Sequence, residues 1–553
     1  MSYPWLSSYD QGVPAEIDPN EFSSIPELLE MSFHKFSDKP AFHNMGTTLT
    51  YRDIDHLSKK FASYLQNELK LKKGDRVAIM MPNILQYPIA LFGVLRAGFI
   101  AVNVNPLYTA RELEHQLKDA DVSTIVLFEN SAHTLEKAIK GTNVKNIIIT
   151  QVGDMLKFPK NHIVNFVLKK VKKMVPSYSL PVTYNFIDCL EKGDESRFSK
   201  VSITPSDIAF LQYTGGTTGV AKGAILTHKN IVANMLQARA WIKNFIEEGK
   251  EIIITPLPLY HIFSLTANCF VFSSVGALNV LITNPRDIPG FVKELKKWKF
   301  TAITGVNTLF NGLLNNQDFV RLDFSHLKVA LGGGMAVQKG VAEKWKQVTA
   351  RPLIEAYGLT ETSPAACINP MTLQDYNGYI GLPISSTVVE IRNDEGKSLD
   401  FEEIGEICIK GPQVTQGYWN RPEETDKSIT PDGFFLTGDL GYMTREGFVK
   451  VVDRKKDMIL VSGFNVYPNE LEEILCQHPK ILECAAIGVP DEKSGEVVKV
   501  FIVKKDQSLT EEEVISFARE NMTSYKVPRK IEFRDELPKS NVGKILRKDL
   551  RGQ

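Results

Sequence analysis

The sequence predicts an α/β protein. A large N-terminal domain of parallel-rich sheets covered by helices is followed by a small α+β C-terminal domain. Three observations carry this. The chain has 553 residues, more than one hydrophobic core fills. Through about residue 430, short β-branched runs alternate with amphipathic helical stretches, the pattern of parallel sheets with helices on both faces. Near residue 440 the texture changes to strand formers punctuated by glycine turns.

In chain order, RVAIMMP (76–82) reads as a strand, LQYPIALFGVLRAG (85–98) as a helix ending at Gly98, and FIAVNVNP as the next strand. STIVLFE, NIIIT and EIIITPLP (251–258) repeat the strand pattern. The uncharged run 262–285 is long enough to cross a bilayer. Ser, Thr, Asn and a Gly interrupt it, so it reads as a buried helix, then Gly276, then the strand ALNVLIT. After residue 440 come strand formers, a helix over 468–478, strands ECAAIGVP and VVKVFIVKK, a helix over 510–521 and a basic tail. The charged run 453–457 divides the chain into 1–453 and 454–553.

Composition narrows the function. Apolar residues make up 43%, charged residues 24%, and the formal net charge is zero, which argues against a nucleic-acid binder. Six scattered cysteines without a C-x-x-C fit a reducing, cytoplasmic compartment and neither a disulfide scaffold nor a zinc site. The N-terminus has no signal-peptide pattern, and there is no H-E-x-x-H or G-x-S-x-G.

YTGGTTGVAKGA (213–224) is built to hold phosphate, but it is not the P-loop of a nucleotide triphosphatase. Aligned on Lys222, Ala221 stands where the second Gly belongs and Gly223 where the Mg²⁺-binding hydroxyl belongs. Thr214, Thr217, Thr218 and the amides freed by Gly215, Gly216 and Gly219 can still point at phosphate oxygens, with Lys222 adding charge.

Behind this loop stand, in order, LGGGM (331–335), EAYGLTETSP (355–364), TGD (437–439) and DRKKD (453–457). The set resembles the adenylate-forming superfamily of acyl-CoA synthetases, luciferases and peptide-synthetase adenylation domains, from about residue 40 to 550. DGFFLTGDLGYMTREGFVKVVDRKKD looks like the fatty acyl-CoA synthetase signature within it, with Phe434 where Trp is usual. LQYTGGTTGVAKGAILTHKN and MILVSGFNVYPNELEE look closest to the bacterial long-chain fatty acid–CoA ligases.

The resemblance implies the chemistry. A fatty carboxylate attacks the α-phosphate of ATP, pyrophosphate leaves, and coenzyme A displaces AMP from the acyl-adenylate. Both reactants in the first step are anions, so the site must supply positive charge and donors. Residue by residue, it implies that the 213–224 loop, Tyr213 included, holds the β- and γ-phosphates. Gly332, Gly333 and Gly334 admit the adenine, Tyr357 stacks on it, and Thr360 donates to the α-phosphate. Glu361 holds Mg²⁺, Asp439 and Arg454 hold the ribose, and His261 orients the acid or gates its channel. Lys544, in SNVGKIL, is the catalytic cation. Lys456, by its offset from Arg454, is the hinge of a domain swing that brings Gly463 to the pantetheine path.

FTAITGVNTLFNGLL (300–314) is a candidate floor for an acyl tunnel, through Gly305 and Gly312, or ordinary core. NFVLKKVKKMV (165–175) interleaves Lys169, Lys170, Lys172 and Lys173 with apolar residues. It can rest peripherally on the inner face of the cell membrane, or be a solvated helix face. Two rival functions remain: a superfamily member acting on medium-chain, aromatic or carrier-bound acids, and a non-catalytic scaffold with a dead ATP site. Intact Lys222, Glu361, Asp439 and Lys544 count against the second, and no carrier domain is expected after residue 553. The sequence leaves the oligomeric state open.

Overall fold

A computed structural model describes residues 3–214, 221–491, 494–540 and 543–551. Among these, the β-branched runs of the first half assemble one sheet in the order 183–185, 146–150, 124–128, 76–80, 100–103, 208–214 and 222–227. Its strands run parallel except for the last pair, a hairpin. The second sheet runs 382–383, 365–368, 354–358, 329–332, 302–305, 252–255, 278–281, 40–44 and 47–50. It is parallel in the middle and antiparallel at both ends.

The two sheets share a layer of helices. Phe42 of one sheet and Val77, Ala101 and Phe210 of the other join one apolar cluster with Ile89, Leu91 and Phe270. Helix Gln86–Arg96 lies in this layer and every one of its residues is buried. That explains its near-continuous apolar composition: a helix with no face toward water needs no polar stripe. The run 262–272 is also buried helix, followed by Gly276 and strand Leu278–Leu281. Among the described residues, no helix is long and apolar enough to cross a membrane. The outer faces of the sheets are covered by helices Ala110–Asp119 and Ala132–Ala138 on one, and Ile288–Leu295, Asn307–Leu314 and Lys339–Thr349 on the other.

A four-stranded antiparallel sheet, 388–392, 405–410, 435–443 and 449–454, completes the large domain. Its last strand runs on through Arg454, one residue past the boundary expected from the sequence, because Arg454 pairs in register with Asp439. Phe434, at the signature position usual for Trp, is buried beneath Arg392, 4.1 Å from its ring, with Lys410 at 5.6 Å. A turn over 455–457 leads to a separate small sheet, 464–466, 459–461, 495–504 and 481–491, with 530–534 parallel to 495–504.

One glycine in the shared layer permits close helix packing. A Cβ on Gly93 would stand 2.9 Å from the Phe61 ring and 3.0 Å from the Ser58 carbonyl oxygen. Gly93→Val should therefore destabilise the large domain by about 1–3 kcal/mol. A thermal melt checks this, with an unchanged apparent Tm as the contrary result.

Candidate active site

The glycine triplet ends strand Val329–Gly332. A Cβ on Gly333 would sit 3.1 Å from the Ala356 carbonyl oxygen and 3.2 Å from the Phe263 ring, and Gly334 has φ +76°. Backbone therefore approaches backbone here, and the neighbouring surface stays free of side chains. Glu355 lies beneath this loop. One carboxyl oxygen accepts from the Val337 amide at 3.1 Å, and burial pushes its pKa up to about 8.

Tyr357, two residues on, donates its hydroxyl to Asp439 Oδ2 at 2.6 Å. Asp439 Oδ1 takes Arg454 Nε at 3.1 Å. The buried Asp439 carboxylate thus joins two sheets, with a flat aromatic on one side and a guanidinium on the other. Burial, then Asp439, raises the Tyr357 pKa, so its hydroxyl remains a donor.

Lys544 arrives from the small domain on a tight turn. Ser540 N donates to the Lys544 carbonyl at 2.7 Å, and Gly543, at φ +82°, lets the chain reverse. Thr308 of the large domain donates to the Gly543 carbonyl at 3.2 Å, fixing the turn in the cleft. Burial, then repulsion from Arg454, pushes the Lys544 pKa down to about 8, against the opposing pull of Asp439. His261, which caps the helical run beginning at Ile262, feels Lys544 directly. Burial first, then that cation, lowers its pKa to about 4, so it is a neutral imidazole near pH 7. The structure therefore brings Lys544, His261, Arg454, Asp439 and Tyr357 into one cleft.

Thr360 and Glu361 occupy the short helical turn Thr360–Thr362, closed by Ser363 at φ +71°. Glu361 is buried, accepts from the Tyr418 hydroxyl at 2.7 Å, and has its pKa raised by burial. Among the described residues, no cluster of three or more His, Cys, Asp or Glu could hold a metal by itself. A lone carboxylate of this kind fits Mg²⁺ that takes its other ligands from substrate phosphates.

The phosphate loop is carried by a hairpin whose ends face each other, Thr214 opposite Lys222. Gly215, Gly216, Thr217, Thr218 and Gly219 lie outside the described residues. Tyr213 corrects the sequence reading. Its hydroxyl is committed to Asp119 at 2.7 Å, and its buried ring packs on Gly223, so it braces the hairpin and does not face the phosphates.

Next to the glycine triplet, Leu331 lines a narrow apolar cavity of about 40 Å³. Ala267, Val271 and Phe272 form one wall, Ile303 and Thr304 another, and Ile242 and Met371 also line it. The 300–314 segment contributes through its strand. Gly305 instead faces Phe310, and Gly312 faces Ile288, in the core on the other side of the sheet.

The order of these elements matches one protein family. The AMP-binding enzyme model fits residues 29–419, and the AMP-binding enzyme C-terminal domain fits 470–544. The chain belongs to the AMP-binding enzyme family. A long-chain-fatty-acid–CoA ligase of Yersinia pestis is 56% identical, covering 100% of this chain and 98% of that protein. Its counterpart in Haemophilus influenzae is 52% identical over 99% and 98%. The crystal structure of the anthranilate CoA ligase AuaEII with anthranoyl-AMP has the same fold. Its TM-score is 0.86 at 24% identity, over 97% and 98% of the chains.

Enzymes of this family couple a carboxylate to AMP and pass the acyl group on. Within that frame, Lys456 sits exposed in the 455–457 turn. Gly463, at φ +85°, forms with Ser462, at φ +51°, an exposed hairpin tip open to solvent. Sequence reading missed Glu355, Tyr418 and Arg547, the last of which pairs with Glu472 at 2.7 Å and lies 3.5 Å from the buried Asp453. Glu355 opens the motif EAYGLTETSP without having been given a role, and its single acidic charge in an apolar strand was an available signal. Tyr418 and Arg547 are distant in sequence from the groups they bind, and no local pattern marks them.

The Lys544 titration has a kinetic consequence. As pH rises through about 8 the ammonium is lost, so kcat/KM for adenylation should fall on that limb. Lys544→Arg keeps its charge and should flatten the fall even if it is slower overall. An alkaline limb unchanged in that variant would assign the titration to another group.

Proposed function

We propose that this enzyme activates a long-chain fatty acid with ATP and then makes acyl-CoA. A carboxylate oxygen attacks the α-phosphorus, and the bond to pyrophosphate breaks. The coenzyme A thiol, giving up its proton, then attacks the acyl carbon and AMP leaves. The observation that carries the reading is a cation and a neutral imidazole, Lys544 and His261, meeting in a cleft beside an apolar cavity.

The residues divide the work. Lys544 brings positive charge to the two anions as they meet, and His261 orients the acid without adding charge that would compete. Thr360 donates to the α-phosphate. Thr214 and Lys222, with the loop between them, hold the outer phosphates. Gly332, Gly333 and Gly334 give adenine its slot, Tyr357 offers its ring, and Asp439 with Arg454 takes the ribose. Glu361 would hold Mg²⁺, which supplies charge neutralisation on the phosphates. The acyl chain enters along this apolar cavity and widens it, gaining roughly 0.8 kcal/mol per buried CH₂. For the second step the small domain turns about Lys456, withdrawing Lys544 and bringing the Gly463 hairpin toward the pantetheine.

Two measurements test this. AMP release dependent on ATP and coenzyme A should rise across acids of increasing length; a preference for short or aromatic acids overturns the substrate assignment. Lys544→Ala should slow adenylation by roughly 10²–10³. Given preformed acyl-adenylate, the same variant should make thioester at close to the normal rate. Equal loss in both half-reactions would refute the swing.

We further propose peripheral membrane contact through the 158–174 segment. Phe158, Ile163, Phe166, Val171 and Met174 are all more than half exposed there, beside exposed Lys170, Lys172 and Lys173. Lys169 leaves the expected cationic set, because it pairs with the buried Glu129 at 2.7 Å. Three cations at about 1 kcal/mol each, plus the apolar face, suit an anionic lipid surface. Reversing Lys170, Lys172 and Lys173 to Glu should lower sedimentation with anionic vesicles and spare activity on a soluble short acid. Unchanged sedimentation refutes the contact.

A further inference from the structure

The phosphate-loop lysine already has an anionic partner. Lys222 Nζ is ion-paired and hydrogen-bonded to Glu424 Oε2, and it lies 5.5 Å from the centre of the Tyr418 ring. Glu424 stands in the first turn of the short helix Pro422–Ser428. The segment before that helix is laced to the strand that carries Lys222. Ile225 N donates to the Gly417 carbonyl at 2.9 Å, and Trp419 N donates to the Gly223 carbonyl at 2.8 Å. Arg421 pairs with Asp119 at 2.6 Å, the same carboxylate that holds Tyr213. The Glu424 carboxylate is therefore held over Lys222 by structure on both sides. The pair is partly shielded, with side-chain exposures of 17% for Lys222 and 33% for Glu424. The Lys222 ammonium also holds the Glu424 carboxyl below the usual carboxylate range.

We propose that Glu424 is a resident competitor for the outer phosphates of the nucleotide: it neutralises Lys222 in the free enzyme, yields it to a polyphosphate, and reclaims it as pyrophosphate departs. This rests on the reading of Lys222 as a phosphate ligand. A polyphosphate must displace the carboxylate before it gains the lysine, so the free energy of the ion pair is subtracted from its binding. The penalty falls on ATP and on pyrophosphate, which both carry the outer phosphates. It does not fall on AMP, which has none. Glu424 is thus a specificity-determining residue that weakens the retention of pyrophosphate without weakening the hold on the adenylate.

The test compares the wild type, Glu424→Gln, Lys222→Ala and the double variant by calorimetric titration with ATP, pyrophosphate and AMP in one buffer. Glu424→Gln should tighten ATP and pyrophosphate roughly 2- to 5-fold, the scale of a partly exposed ion pair, and leave AMP unchanged. In the Lys222→Ala background the same substitution should give no gain. Normal AMP binding reports a folded site in each variant. ATP affinity that is unchanged or weaker in Glu424→Gln overturns the proposal, as does an equal shift for AMP. If Lys222→Ala binds ATP as the wild type does, the phosphate role of Lys222 itself fails, and the proposal with it.

Discussion

The cleft depends on one buried carboxylate. Asp439 accepts from Tyr357 at 2.6 Å and from Arg454 at 3.1 Å, and so ties the end of a parallel strand in the nine-stranded sheet to the edge of the antiparallel one. A buried carboxylate without partners would be expensive; with a phenol and a guanidinium on its two oxygens it is satisfied. Its register partner across the antiparallel pair is Arg454 itself, so strand pairing delivers the counter-ion. Because Arg454 is the last residue of its strand, the same pairing fixes where the connection to the small domain begins.

Charge in the cleft is arranged to be used on anions. Burial lowers the Lys544 pKa most, repulsion from the Arg454 cation lowers it further, and Asp439 partly offsets both. Two substrates that bring negative charge relieve the repulsion, so the free site is strained in the sense that favours the bound one. Burial, and after it the Lys544 cation, keeps His261 neutral. Glu355, pushed by burial up to about 8, adds little negative charge near pH 7, and burial raises the Glu361 pKa in the same direction.

The sequence made most of the fold legible where local chemistry and tertiary position agree. Strand Arg76–Met80 and helix Gln86–Arg96 were readable because β-branched runs and turn glycines punctuate them. The buried run 262–272 was separable from a membrane span by its interior Ser, Thr and Asn, which find partners: Ser264 donates to Leu257 O, and Thr266 to Ser363 O. The motifs of the candidate site were legible as patterns, and Thr214, Gly332 and Arg454 each close a strand. Side-chain direction was not legible. Tyr213 belongs to a recognisable loop, yet its hydroxyl turns to Asp119, a residue far away in sequence. Gly305 and Gly312 had the right size for a tunnel floor, but strand alternation and helix facing send both to the opposite side of the sheet. Lys169 failed as a free cation because Glu129, forty residues earlier, lies beneath it.

The proposed swing requires that the two domains part cheaply, and the packing bears on this. The clusters that make up the small-domain core draw on residues from 459 onward among those described, and the core of the neighbouring large-domain sheets ends at Val451. Among the described residues, no apolar cluster spans the 455–457 turn. The polar contacts that cross it centre on Asp453, fully buried, which accepts from Asn469 N at 2.7 Å and lies 3.5 Å from Arg547. Thr308 to the Gly543 carbonyl adds another, and Lys455, which reaches back to Asp394 at 2.6 Å, is largely exposed. A hydrogen bond exchanged for water costs about 0.5–1.5 kcal/mol net, and an exposed ion pair costs less. Arg547 keeps Glu472 at 2.7 Å within the small domain, so turning that domain does not strand its guanidinium. Among the described residues, the barrier to parting is thus mainly polar. A modest difference in how pyrophosphate and coenzyme A bind the two arrangements is enough to set their balance.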